Sequence, residues 1–475
     1  MELKVKEKVS AKLEKIVGAE HVSTALPDLY GYSQDMTENE PHWPDFVVMP
    51  GSVEEVQGIL RLANREKIPV VPFTAGANIG GLTIPLKGGI VLDLRRMNRV
   101  IEFNEEDRYI VVEPGFTFGD LRRYLDKNYP HLWYSFPAAP PSTSVMSNAL
   151  LMGCGYLMNV QGGNWDNTNG LEVVLPTGEV VKIGSCSVSP YWFSRAPLPD
   201  LAGLFFGWQG GTGVVTKIAV QLWPRHELQE RKTLITSGIG PTMNFMRRIG
   251  KMRILDLVAA FPFEPSLVMA EPRTAGTFDR PPGEDMFTVT TLIMADTEDE
   301  LKAKAAVRDV VIKEEFEEGK VTVVPPEMVP VEMGEIPIRG TIERLGGVTW
   351  MGTFGPTSKW AEATEKAFQL FDKYRLLRII AYTPLRGVHF GMFRPIVGFN
   401  KGDADEVERV KKFMQEALVM TLDMGFVPYK APYWVVEEMM RRGDPNWVEL
   451  LRRVKKMLDP NNIMNPGRYG ALRSE

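Results

Sequence analysis

DFVVMPGSVEEVQGILRLANREKIPVVPFTAGANIGG, residues 45–81, reads as strand, helix, strand and glycine-rich turn. DFVVMP is apolar and β-rich. Ser52 opens an S-x-x-E capping box with Glu55, in which side-chain oxygens satisfy amides that the first helical turn leaves unpaired. Val56, Ile59, Leu60 and Ala63 then recur on one helical face, and IPVVPF reads as a buried strand. The turn that follows, Thr74-Ala75-Gly76-Ala77-Asn78-Ile79-Gly80-Gly81, breaks the periodicity with three glycines. Glycine tolerates positive φ and lets the backbone approach a ligand closely. Consecutive amides in such a turn form a nest suited to a pyrophosphate, and Thr74 and Asn78 would add side-chain hydrogen bonds. No helical pattern follows, so the turn is not a Rossmann GxGxxG and NAD is disfavoured. The Lys and Ser/Thr of a Walker loop are absent too. On these residues alone a structural turn and a phosphate nest both stay open.

Downstream, GIVLDL (89–94) and RYIVVEPG (108–115) read as strands and FTFGDLRRYLDKN (116–128) as a helix. Residues 137–170, which include Gly153 and Gly155, are rich in Pro, Gly, Ser and Asn and show little periodicity. A loop that long inside a compact domain is usually functional. Two irregular glycine-rich segments in one α/β lobe suggest an extended ligand between them, as a dinucleotide would be. LEVVLPTGEVVKIG (171–184) is a hairpin around Thr-Gly, and GTGVVTKIAVQLWP (211–224) is a further strand region.

After about residue 226 the texture changes. FTVTTLIMADTEDELKAKAAVRDVVIKEEF (287–316) and FGMFRPIVGFNKGDADEVERVKKFMQEALVMTLDMG (390–425) resemble each other. Each is an apolar strand, an acidic turn able to cap a helix, then a long amphipathic helix. This β-α repeat predicts helices on one face of a mostly antiparallel sheet, with the other face free to cover something. The tail, LLRRVKKMLDPNNIMNPGRYG, reads as a basic amphipathic helix and then ordered coil.

A chain of 475 residues is too long for one core, so two domains are expected, with one lobe built from both ends. The net charge of −5 is spread along the chain and forms no basic stripe for nucleic acid and no polybasic membrane patch. Two cysteines, Cys154 and Cys186, exclude a disulfide framework and cluster ligation. The five histidines are scattered, so no metal site is expected. The first residues, MELKVKEKVSAKLEKIVG, lack the apolar core of a signal peptide, and no window approaches a membrane span. A cytoplasmic location is the expectation.

The run from Asp45 to Gly115, continued through STSVMSNA, GLEVVLPTGEVV and GWQGGTGVVTKI, resembles the FAD-binding domain of the p-cresol methylhydroxylase type in order and spacing over about 180 residues. The C-terminal part, with DMGFVPYKAPYW and VKKMLDPNNIMNPGRYG, resembles the end of vanillyl-alcohol oxidase and p-cresol methylhydroxylase. The H-x-G-D-G-N-x-H metal motif of the glycolate and D-lactate dehydrogenase branch is absent. The resemblance implies an α+β fold with a two-lobed FAD-binding domain over 1–225. An α+β cap (substrate) domain with an antiparallel sheet would span 226–425, and 426–475 would return to the FAD-binding domain.

For the cofactor, the resemblance implies that Thr74 to Gly81 hold the FAD pyrophosphate. Pro140, Ser144 and Asn148 would lie along the flavin, in the segment that also carries Gly153 and Gly155, and Gly213 and Val215 would touch its outer part. Where relatives have T-I-G-G-N, this chain has Ser144-Val145-Met146-Ser147-Asn148. Tyr429-Lys430 stands where the family's Tyr-Arg pair binds a phenolate oxygen. A cation and a hydroxyl donor would stabilise a substrate anion and lower its pKa; Lys keeps the charge but loses the planar fork of Arg. The family's aspartate base falls near Gly163 and Asn164, with Asp166 out of register. The residue that bonds covalently to flavin falls near Met392 or Phe393, neither of which can form that bond, so FAD is expected to be non-covalent.

His389 is a substitute candidate for that position. In an unbroken strand GVHFGMFRPIV, His389 and Arg394 would point to opposite faces. Arg394, bracketed by apolar residues, would need a partner if buried; an anionic substrate, the reduced flavin or a structural carboxylate would serve.

These readings lead to an FAD-dependent oxidase or dehydrogenase. It would take hydride from an alcohol or benzylic C–H of a small phenolic or anionic substrate. The alternatives are a 2-hydroxy-acid dehydrogenase and a non-catalytic FAD-bearing electron-transfer subunit. The expected partners are a small molecule, an electron acceptor that the sequence does not identify (a redox protein subunit among the options), and a second copy or a larger complex. No nucleic acid is expected.

Overall fold

A computed structural model describes residues 3–77, 80–263, 285–325 and 346–469. The helix Val53–Glu66 starts where Ser52 Oγ accepts from the Glu55 amide at 3.2 Å. Glu55 returns the cap one residue early, accepting from the Gly51 amide at 2.7 Å. Its apolar stripe packs on a four-stranded sheet ordered Val22–Ser23, Phe46–Val48, Ile90–Asp93, Val70–Phe73. The last three of these strands run parallel, as a strand–helix–strand crossover requires.

A second, five-stranded antiparallel sheet follows the order Val100–Asn104, Tyr109–Val112, Val214–Gln221, Thr168–Val174, Val180–Gly184. Val174 and Val214 reach into the core of the first sheet, which fastens the two halves of this lobe together. The chain's end returns here. Met464 bridges to Val70, with the Val70 amide donating to Ile463 O at 2.7 Å and the Asn465 amide to Val70 O at 2.8 Å. Lys455, 1% exposed, pairs with Asp459 at 2.7 Å and donates to the carbonyls of Gly211 and Met464.

The cap is one antiparallel sheet ordered Val321–Val324, Leu228–Ser237, Met286–Ala295, Leu257–Pro262, Ile379–Leu385, Phe390–Asn400, Thr353–Gly355, Val427–Pro428, with Gly346–Trp350 also paired to Phe390–Asn400. The helices Glu298–Glu315 and Ala404–Asp423 follow their strands as the repeat predicts. Each is capped from the preceding turn, by Thr297 and by Asp403. Two further helices, Ile239–Met252 and Trp360–Lys373, were not legible as partners of this repeat. With them each half of the cap is a β-α-β-β-α-β unit, and the halves meet where Ala260 pairs with Tyr382. All four helices share one core with one sheet face, including Phe245, Val311, Trp360 and Phe413. The other face looks at the first lobe. No helix among the described residues is long and apolar enough to cross a membrane.

Candidate functional site between the lobes

A cavity of about 890 Å³ lies between the free face of the cap sheet and the irregular segments of the first lobe. That is at the upper end of the ~300–1,000 Å³ range of small-molecule and cofactor sites. Strand alternation chooses its floor: Thr288 and Thr290, Ala259 and Phe261, Thr383, and Met392 and Arg394 all project into it. The walls come from Thr74, Ala75, Gly76, Ala77, Leu82 and Thr83, from stretches of 137–158, and from 209–215.

The turn after Val70–Phe73 behaves as an amide nest. The amides of Ala75, Gly76 and Ala77 donate to nothing among the described residues. Gly76 sits at φ 62, and a Cβ there would meet the Phe73 ring at 2.6 Å. Phe73 is fixed from behind by Tyr32, edge-on at 4.8 Å, and by the Arg95 guanidinium at 5.6 Å. Asn78 and Ile79 lie outside the described residues. Gly80 and Gly81 are buried behind the cradle and do not line the cavity. The Gly81 amide is taken by Asp35 at 2.7 Å and its carbonyl by Arg468 at 2.6 Å, so this residue's polar groups serve the fold. Leu82 and Thr83 take up the wall instead.

Of the other residues assigned to the cofactor from sequence, Pro140, Asn148, Gly155, Gly213 and Val215 line the cavity; Ser144 and Gly153 do not. Ser144 caps the short helix Val145–Leu150, accepting from the Ser147 amide at 3.2 Å and donating to Pro114 O at 2.6 Å, which spends its hydroxyl. Gly153 is a packing glycine: a Cβ would meet the Asn148 amide group at 2.2 Å. Thr143 Oγ1 and Gln209 Oε1 are buried against the cavity without partners among the described residues. Buried polar atoms are rarely left so, and these wait for a ligand with donors.

At the far wall, Arg394 donates to the Tyr429 hydroxyl, and its guanidinium lies 4.6 Å from the Trp350 ring. Tyr429 stacks on Phe354 at 4.3 Å and holds its backbone to Gly352 O at 2.9 Å. Gly352 interrupts the strand between Trp350 and Thr353, and the absence of a Cβ lets the Tyr429 ring approach. Lys430, in the left-handed conformation at φ 51, turns into the same cavity beside Cys154. Burial lowers Lys430 to about 8, helped by the Arg394 charge, and lowers Arg394 to about 10. Burial raises the Cys154 thiol to about 11, so it stays neutral. Arg394 Nε and Trp350 Nε1 are buried donors without partners among the described residues. Among the described residues no Asp or Glu lines the cavity, while Arg231, Arg394 and Lys430 do. A cavity so charged selects an anion.

One catalytic candidate read from the sequence is corrected. His389 is exposed, because the strand begins at Phe390 and a turn through Arg386, Gly387 and Val388, all at positive φ, precedes it. It does not line the cavity that Arg394 enters. Asn164 gives its amide to Asn148 Oδ1 at 2.7 Å and does not line this cavity. Asp166 accepts from the Gly163 amide at 2.9 Å and pairs with Arg386. Met392 faces the cavity, while Phe393 is fully buried in the helix-side core. Sequence reasoning passed over Arg231 and Trp350. The alternation of their strands would have placed Arg231 beside Thr233, and Trp350 beside Val348, on the cavity face.

Residues 44–184 match the FAD binding domain model, and residues 347–469 match that of the FAD linked oxidases, C-terminal domain. The chain is 25% identical over 511 residues to the 4-cresol dehydrogenase [hydroxylating] flavoprotein subunit of Pseudomonas putida, covering 98% of this chain and 95% of that one. It is 24% identical over 489 residues to glycolate oxidase subunit GlcD of Bacillus subtilis (strain 168), covering 98% and 97%. A crystal structure of p-cresol methylhydroxylase with substrate bound shares the fold at a TM-score of 0.87, with 22% identity and 99% and 98% coverage. The amide nest and the orphaned acceptors in the cavity wall fit FAD, whose pyrophosphate needs donors and whose ring N–H and hydroxyls need acceptors.

Proposed function

Because this chain belongs to the FAD-linked oxidases of the p-cresol methylhydroxylase and vanillyl-alcohol oxidase family, we propose that it oxidises a small organic anion, in the first instance a para-substituted phenol taken as its phenolate. The observation that carries the reading is the pair of cations Arg394 and Lys430 in a cavity whose described lining holds no carboxylate, with Tyr429 hydrogen-bonded to Arg394 behind that lining. FAD, when bound, supplies the two-electron acceptor. Everything else falls to the side chains.

Arg394 and Lys430 stabilise the oxyanion and pull a phenol's pKa down from about 10. Tyr429, accepting from Arg394 and donating to Met392 Sδ at 3.7 Å, does not line the cavity and holds the guanidinium in place from behind. The aromatic rings of Trp350 and Phe261 in the wall keep water from the charge and strengthen each contact. A phenolate pushes electrons toward its benzylic carbon as hydride leaves, so no carboxylate base is required.

A 2-hydroxy acid is the second reading. It is favoured by the free Arg394 Nε, which with Nη offers a carboxylate the planar fork. The test is an anaerobic screen of the FAD-loaded protein. Bleaching by 4-alkylphenols or 4-hydroxybenzyl alcohols is expected. Silence with these and bleaching by D-lactate or glycolate would move the assignment to the second reading.

A further inference from the structure

Lys430 and Lys455 are both drawn out of water, but in opposite company. Lys455 pairs with Asp459 and donates to the carbonyls of Gly211 and Met464, which holds it as a cation. Lys430 Nζ reaches no hydrogen-bond acceptor and no carboxylate among the described residues. It lies 5.9 Å from the centre of the Tyr429 ring, and the Arg394 guanidinium lies 5.5 Å from the same ring. The ionisable groups that bear on Lys430 are Arg394, which disfavours an ammonium, and the Cys154 thiol. Asp166, which bears on Cys154, is itself paired with Arg386. Lys430 is also the one side chain of the described cavity lining able to act as a base. The other ionisable groups there, Cys154, Tyr156, Arg231 and Arg394, are a thiol, a phenol and guanidiniums, classes that keep their protons at neutral pH. No His, Asp or Glu stands in that lining.

We propose that Lys430 is the catalytic base of this site: its amine takes the substrate's hydroxyl proton, and the ammonium so formed stays beside Arg394 against the oxyanion. This rests on the reading of Arg394 and Lys430 as the oxyanion site and adds the proton acceptor of that same site. For a 4-alkylphenol the O–H bond breaks and an N–H bond forms on Nζ. The oxyanion's electron pair moves into the ring as hydride leaves the benzylic carbon for FAD, and a quinone methide remains. When water adds, its oxygen bonds the benzylic carbon, the Lys430 proton returns to the phenolic oxygen, and the proton lost by the water goes to solvent. Burial, with the Arg394 charge, brings Lys430 down to about 8, so the free amine is accessible near neutral pH, as a general base requires. An arginine here could hold the oxyanion but could not take the proton.

Phenol itself has no benzylic C–H, so it reports the proton transfer by binding alone. Calorimetric titrations of the FAD-loaded protein from about pH 6 to 10 give its affinity, and difference absorbance shows whether the bound form is phenolate. Below about 8, free Lys430 and free phenol each carry a proton and the complex keeps one, so affinity should rise about tenfold per pH unit. Between about 8 and the ordinary phenol value of about 10 it should be level, because the proton only passes from oxygen to nitrogen. Benzoate brings no proton, so its affinity should fall above about pH 8 where that of phenol stays level. K430R acts only as a cation, and its phenol affinity should go on rising to about pH 10. A wild-type rise that continues as far as in K430R would leave Lys430 a cation and overturn the proposal, as would a bound phenol that stays un-ionised. Phenol and benzoate both failing to bind, or both binding undiminished in R394Q, would overturn the oxyanion site and the inference with it. If K430R loses FAD or thermal stability, the wild-type profiles of phenol and benzoate decide alone.

Discussion

Lys430 should make anion binding pH-dependent in a window where most protein cations are constant. Its ammonium is pushed down to about 8, first by burial and then by the neighbouring Arg394 charge. Arg394 stays protonated until about 10. Below about pH 8 the site therefore presents two cations, and between about 8 and 10 only one. A carboxylate ligand such as benzoate remains ionised throughout, so any change in its affinity belongs to the protein. Loss of one charge-assisted hydrogen bond is worth ~1.5–3 kcal/mol, or roughly a 10- to 100-fold rise in Kd. Binding should be tightest below about pH 8 and weaken above it. Because the bound anion favours the ammonium, the complex should also take up a proton near pH 8, by linkage. Calorimetric titrations of the FAD-loaded protein from about pH 6.5 to 9.5, in buffers of different ionisation enthalpy, read both effects. K430M should bind weakly at all these pH values with no slope, and K430R should stay tight to about pH 10. A flat wild-type profile, or a slope that survives in K430M, would refute the reasoning.

Acid precipitation should leave the yellow flavin in the supernatant, since Met392 stands at the cavity where a covalent anchor is expected and Phe393 is buried away from it; a yellow pellet would contradict this. G155A should abolish FAD retention and lower the Tm, because its Cβ would lie 2.1 Å from Ser135 O; absorbance per mole of protein and a thermal melt report both. K455M should cost ~3–5 kcal/mol in urea unfolding, since it leaves the buried Asp459 charge without its cation, with only the amides of Ile463 and Met464, and removes a donor from Met464 O. S144A should cost only ~1 kcal/mol as a lost helix cap and leave FAD affinity nearly unchanged, because its hydroxyl is spent on Pro114 O and the Ser147 amide.

Local pattern alone was enough for much of the fold. The cap at Ser52, the stripe from Val56 to Ala63 and the positive φ at Gly76 are short-range signals, set by neighbours within a few residues, and the structure follows them. The strand–helix repeat at 287–316 and 390–425 likewise carries its own turn and cap. The cavity face of each cap strand was also written in the period-2 pattern, although which face would be covered by helices was not.

What only the tertiary structure decided is where chemistry from distant segments converges. Ser144 and Gly81 look like ligand groups in isolation, yet long-range bonds to Pro114, Asp35 and Arg468 claim them. His389 was misplaced because the preceding turn puts Val388 at φ 70, a conformation that a β-branched residue avoids and local preference argues against. Val388 is instead buried at 7%, packed where Gly250 lacks a Cβ, and the turn's amides at Arg386 and Gly387 are taken by the carbonyls of Met158 and Asn159. Local propensity is worth about a kcal/mol per residue. Burial and long-range hydrogen bonds outweigh it, and they bring Arg394, Tyr429 and Lys430 to one wall and Arg231 to the other.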